Sequence, residues 1–158
     1  MINKNITLLI ILDIKNKEKQ KMTTQTFNTP ENMVTYADVK NGSKSEANYL
    51  IGYVLRKLCI TPKYNGYKYL KHSIMLCLKN PLYLDKNVTK MLYPEVAKKF
   101  NTSAVAIERG IRNVIQESSA ICDDDVKFEY LGEIQDNYTN TEFISYIVEL
   151  LEMNRIDT

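Results

Sequence analysis

Tryptophan is absent from this chain, and glycine (five) and proline (four) are scarce among its 158 residues. So few turn-formers count against a β-sandwich or barrel, which needs a turn signal about every ten residues. Three cysteines, Cys59, Cys77 and Cys122, lie far apart with no CxxC pair. An odd count without ligand spacing fits a reducing cytoplasm, not a disulfide scaffold or a zinc site. The most apolar run, Ile6 to Leu12 (ITLLIIL), falls far short of the ~20 residues of a membrane span. Its basic leader is thin and no small-residue cleavage site follows, so a signal peptide is not expected, and a cytoplasmic chain with no membrane partner is. The one histidine, His72, lies off the apolar stripe of its segment and reads as a surface residue. Without a Cys/His cluster or a nucleophile motif beside it, neither a metal site nor a catalytic one is expected. No Gly-rich phosphate loop, no internal repeat and no paired-carboxylate motif above background stands out either. The expectation is a chain that is not an enzyme and carries no cofactor.

What is present is an uneven charge. Net charge is only +2, but residues 45–119 hold twelve Lys/Arg against five Asp/Glu, giving +7. Residues 120–158 hold two against ten, giving −8, and residues 1–44 hold seven against four, giving +3. A basic middle beside an acidic end suggests one face suited to phosphates; solvated helix faces remain the plainer alternative. Lys15 to Ser45 is polar and without period, so 1–45 reads as a flexible N-terminal arm or linker and 46–158 as one helical domain. From Glu46 the apolar residues Ala47, Leu50, Ile51, Val54, Leu55 and Leu58 recur at helical steps. Pro62 and Gly66 break the pattern, and a second helix with Tyr67, Leu70, Ile74, Cys77 and Leu78 runs to Asn80-Pro81. Near the end, Asp123 to Asp125 cap a helix with Val126, Phe128 and Leu131 as its apolar side and Gly132 as its stop. Gln135 to Asn140 reads as loop. A last helix, Thr141 to Met153, turns Phe143, Ile144, Ile147, Val148 and Leu151 inward.

The stretch Val88–Gln116 (VTKMLYPEVAKKFNTSAVAIERGIRNVIQ) organises the rest. A short helical turn leads to Pro94 at a helix start, and Val96, Ala97 and Phe100 form that helix's buried side. Lys98 and Lys99 close it, where a helix C-terminus favours cations and where phosphates can be reached. Asn101-Thr102-Ser103 is turn and N-cap chemistry in sequence. The next helix, about 103–117, buries Ile107, Ile111, Val114 and Ile115 and leaves Ala106, Arg109, Gly110 and Asn113 opposite, flanked by Glu108, Arg112 and Gln116. This is a helix-turn-helix pattern, with the second helix as the one that enters a major groove. Arg can donate twice to guanine, Asn can pair with adenine and Glu can accept from cytosine. Glu108, Arg109, Arg112 and Asn113 are therefore candidate base contacts, and Lys98, Lys99 and Ser103 candidate phosphate contacts. The competing reading makes Glu108 and Arg112 an ordinary i,i+4 ion pair worth a few tenths of a kcal/mol. Gly110 costs about 1 kcal/mol in a helix interior, so a close approach is expected there, by DNA or by another helix.

Val88–Thr102, with Glu108-Arg109 and Ile111-Arg112, resembles the C-terminal effector domain of the stage-zero sporulation protein A family. Gly66-Tyr67-Lys68-Tyr69-Leu70 upstream and Asn140-Thr141-Glu142-Phe143-Ile144 downstream are similar to the same domain at matching spacing. The resemblance runs from about Tyr49 to Leu151. It implies an all-α fold, a compact bundle of about six helices containing the helix-turn-helix. It implies double-stranded DNA as partner, at boxes with a TGTCGAA-like core. Head-to-tail pairing on tandem sites and contact with an RNA polymerase sigma factor follow from the same likeness. Position by position, it assigns Glu108 and Arg109 to base reading and Arg112 to a further basic contact.

Three departures stand out. Ala106 and Asn113 replace a family arginine and histidine, and Ile156 replaces a tail lysine, with Arg155 beside it as the candidate phosphate contact. Losing a bidentate arginine removes about 1–3 kcal/mol of discrimination, so weaker or differently specified binding is expected. In place of a phosphorylated receiver domain the sequence has only the segment 1–45, so receiver phosphorylation is not expected to switch it. The function implied is a sequence-specific, sporulation-related transcription regulator. The alternative is an interaction module that pairs with a full-length regulator and modulates it, for which the small residues Ala106 and Gly110 speak.

Overall fold

The computed structural model describes the backbone of residues 44–85 and 88–156 and the side chains of 47–85 and 88–152. The apolar run Ile6–Leu12 and nearly all of the stretch read as an arm lie outside the described residues. Among the described residues six α-helices follow one another: α1 (Lys44–Lys57), α2 (Asn65–Lys79), α3 (Tyr93–Phe100), α4 (Ala104–Ile121), α5 (Asp124–Leu131) and α6 (Asn140–Ile156). A 3-10 turn at Pro81–Tyr83 and a π-helical turn at Val88–Leu92 fill the connection from α2 to α3. No strand occurs among the described residues. None of the helices there is long and apolar enough to cross a membrane.

Each helix contributes the stripe that its sequence period marks. Ile51, Val54, Leu55 and Leu58 of α1 are buried, as are Leu70, Ile74 and Cys77 of α2, Val96 of α3, and Phe143, Ile144 and Ile147 of α6. Covering a Leu, Ile or Phe side chain is worth roughly 1.5–3 kcal/mol, and these rows meet in one core. α2 packs most extensively against α4, α3 lies along α4, and α6 reaches α2, α4 and α5. α4 is thus held from three sides.

The local chemistry of helix ends is equally direct. At the end of α1 the Ile60 N–H donates to the Leu55 carbonyl (2.8 Å), placing Cys59 in the left-handed region at φ 62°. Cys122, which ends α4, donates its thiol to the Lys57 carbonyl at 3.9 Å and so ties the far end of α4 to α1. Burial, and then the neighbouring Cys59 thiol, push the Cys122 thiol up to about 11. Gly132 stops α5 at φ 76°, a conformation that costs glycine nothing. At the start of α6, Thr139 and Glu142 form a reciprocal capping box. The Thr139 N–H and hydroxyl donate to the Glu142 carboxylate at 2.9 and 2.7 Å, and the Glu142 N–H donates back to the Thr139 hydroxyl at 3.2 Å. Two amides that a helix start leaves unpaired are satisfied this way.

Four expectations need correcting. Phe128 is 60% exposed, and α5 buries Lys127 and Tyr130 alongside the expected Leu131. Asp123 occupies the N-cap of α5 without a side-chain capping bond. His72 is half-buried, edge-on to the Phe100 ring at 5.8 Å, and is not a plain surface residue. Asn140 is the first residue of α6, with a covered side chain, and does not belong to a loop.

Candidate nucleic-acid interface

α3 and α4 are joined by only three residues, and each has a task. The Thr102 N–H donates to the Ala97 carbonyl at 3.0 Å, while Asn101 takes the left-handed conformation at φ 50°, ψ 53°. Together these close α3 in a Schellman arrangement, and asparagine tolerates that backbone better than most residues. Ser103 then caps α4, its hydroxyl accepting from the Ala106 N–H at 3.1 Å. The chain therefore leaves one helix and enters the next through hydrogen bonds that both helix ends require. The result is a rigid helix-turn-helix.

Ile107, Ile111, Val114 and Ile115 are buried along one side of α4. The opposite side exposes Val105, Arg109, Arg112, Asn113 and Gln116. Positions 105, 109, 112, 113 and 116 fall on one arc of an α-helix, so these side chains share an outward face. Arg109 makes no salt bridge among the described residues. Arg112 pairs with Glu108, one turn back and half-buried. The i,i+4 ion pair of the plainer reading is therefore present. It is solvent-exposed and worth a few tenths of a kcal/mol, and a guanidinium has five N–H donors. The pair holds Arg112 against the helix and engages only part of its donor set. Lys98 and Lys99 are exposed at the C-terminal end of α3, and Lys99 lies 6.0 Å from the centre of the Phe100 ring. Arg155 belongs to α6, but its side chain lies outside the described residues.

Gly110 is the close approach that its cost foretold, and the neighbour is a helix. A Cβ added at Gly110 would come 2.9 Å from the Tyr69 ring. One added at Gly66 would collide with the Gly110 carbonyl and come 2.7 Å from Val114 Cγ1. Two glycines thus let α2 and α4 cross nearly backbone to backbone, and Gly110 faces α2, off the outward arc. Tyr69 in turn packs edge-on against Phe100 at 5.1 Å between ring centres, which links the end of α3 to the same crossing.

One positioning residue escaped the sequence. The Asn140 side-chain amide, 8% exposed, donates to the Tyr93 hydroxyl and to the Glu108 carbonyl, both at 3.0 Å. It bolts the first residue of α6 to α3 and to the backbone of α4 one residue before Arg109. Burial raises the Tyr93 phenol above its ordinary value, with the Asn140 hydrogen bond pulling the other way and the Glu108 carboxylate reinforcing it. The sequence signal was the Thr139-x-x-Glu142 capping box, which places a helix start at Asn140.

Residues 51–151 match the family described as Sporulation initiation factor Spo0A C terminal, over well more than half of the chain. The chain belongs to that family. It is a family of sporulation-related, DNA-binding regulatory domains and not one of enzymes. The matched span runs from within α1 to within α6, so it takes in the whole helix-turn-helix with every element packed on α4.

Proposed function

We propose that this chain is a sequence-specific transcription regulator that lays α4 in the major groove of double-stranded DNA. The observation that carries the reading is the division of α4 into two sides. One is locked into the core by four aliphatic residues and a glycine crossing; the other presents Arg109, Arg112 and Asn113 outward. Arg109, Arg112, Asn113 and Glu108 address base edges, and Lys98, Lys99, Ser103 and Arg155 meet phosphates. The DNA-binding unit spans 46–158, with 1–45 as a separate arm. In the cell it acts in the cytoplasm on sporulation-related promoters, with copies head to tail on tandem sites and a sigma factor of RNA polymerase as a further contact. The small-residue argument for the alternative, an interaction module, loses weight because Gly110 is already occupied by Gly66 and Tyr69 of the same chain.

Anisotropy titrations on a duplex selected from a random pool test the proposal. Arg109→Ala and Arg112→Ala should each weaken specific binding by about tenfold or more, as the loss of 1–3 kcal/mol implies. Lys98→Ala should weaken selected and unrelated duplexes alike and make the salt dependence shallower by about one unit of slope. Unchanged binding in both arginine variants would overturn it.

A further inference from the structure

We propose that Val105 reads a thymine in the bound site through its C5-methyl group; this rests on the major-groove reading above. Val105 lies in the first turn of α4 and is 65% exposed. It stands one turn before Arg109, on the same outward arc. An exposed β-branched residue gains nothing from burial and is a middling helix former, so neither folding nor helix stability accounts for it there. The N-terminal residues of a recognition helix are the ones that meet base edges. In this chain that turn is Ala104-Val105-Ala106, preceded by Ser103, whose hydroxyl caps the helix by accepting from the Ala106 N–H. The side chains of that turn itself, Ala104, Val105 and Ala106, therefore offer methyl groups and no side-chain donor or acceptor. Of the groups that the four bases expose in the major groove, the thymine C5-methyl is the one that projects a methyl into reach of an apolar side chain. Because β-branching restricts the side chain to few rotamers, the two valine methyls are presented with little entropy left to lose. Arg109 and Arg112, further along, supply the polar half of the same readout.

The test uses the full chain and a duplex selected from a random pool. Each thymine in the duplex is replaced in turn by deoxyuridine, which removes the methyl and leaves the pairing edge unchanged. One position is expected to lose about threefold to fivefold in affinity, the worth of one buried methyl-sized group. In Val105→Ala, which circular dichroism should show folded because the residue is exposed, thymine and deoxyuridine at that position are expected to bind alike. Discrimination at no thymine, or discrimination that persists in Val105→Ala, would overturn the assignment. Its failure is separable from failure of the groove reading. If Arg109→Ala still abolishes specific binding while no thymine matters, only the Val105 role falls. If no duplex is selected at all, both do.

Discussion

α4 and α5 are consecutive, separated by Cys122 and Asp123 alone, and they could hardly use their residues more differently. α4 sorts its side chains cleanly, with aliphatics inside and Arg109, Arg112 and Asn113 outside. α5 inverts the expected order: Lys127 is covered and Phe128 is exposed. The Lys127 ammonium reaches the rim, where it pairs with Asp124 and donates to the Ser119 carbonyl at 3.3 Å, so the stem is buried and the charge is satisfied. Periodicity explains the contrast. The apolar residues of α4 recur on one side, and the core face is set by that period. In α5, Val126, Phe128, Tyr130 and Leu131 are spread around the helix, so neighbours decide which are covered. The equally short α3 buries the Val96 and Ala97 that its own period marks, so a helix can be read from its sequence when its apolar residues share one side.

The contrast can be pressed with substitutions in each helix and in the cap that fixes α4. Ile111→Ala, at the middle of the buried face of α4, should cost about 2–5 kcal/mol in urea melts through the cavity it leaves. Asn140→Ala should cost about 1–3 kcal/mol, since it strips partners from covered polar groups. It should also weaken DNA binding measured by anisotropy, because Asn140 holds the α4 backbone beside Arg109. A smaller effect belongs to Glu142, whose carboxyl is held below its ordinary value of 4.5 chiefly by the Thr139 hydroxyl and then by the Thr139 N–H. A depressed carboxyl stabilises the fold above its unfolded pKa and loses that contribution as pH falls through the folded value. Melting temperature should therefore drop below about pH 4.5, and Glu142→Gln should flatten that part of the profile. Phe128→Ser, on the exposed side of α5, should stay within about 0.5 kcal/mol of the parent. A loss comparable to that of Ile111→Ala would show that α5 had been assigned the wrong face.

The same physics separates what was legible in the sequence from what was not. The caps and turns of the helix-turn-helix were visible because Pro94, Asn101 and Ser103 act on backbone groups within a few residues of themselves. The cost of Gly110 announced a close approach, but not its partner, since Gly66 and Tyr69 sit some forty residues away in the chain and only packing brings them near. Asn140 was hidden for the same reason: its partners Tyr93 and Glu108 are distant in sequence, and a lone asparagine in a polar stretch looks like loop. His72 and its contact with Phe100 belong with them, as a side chain off the main stripe recruited by a neighbouring helix.

The most direct measurement is amide chemical-shift mapping of the isotope-labelled chain during titration with a duplex selected from a random pool. The expected result is a set of shifts concentrated at Val105, Arg109, Arg112, Asn113 and Gln116, with Lys98 and Lys99 at their edge, and a quiet α5. Shifts centred on Asp124–Leu131 with α4 unmoved would contradict the claim that the outward side of α4 is the surface that meets DNA.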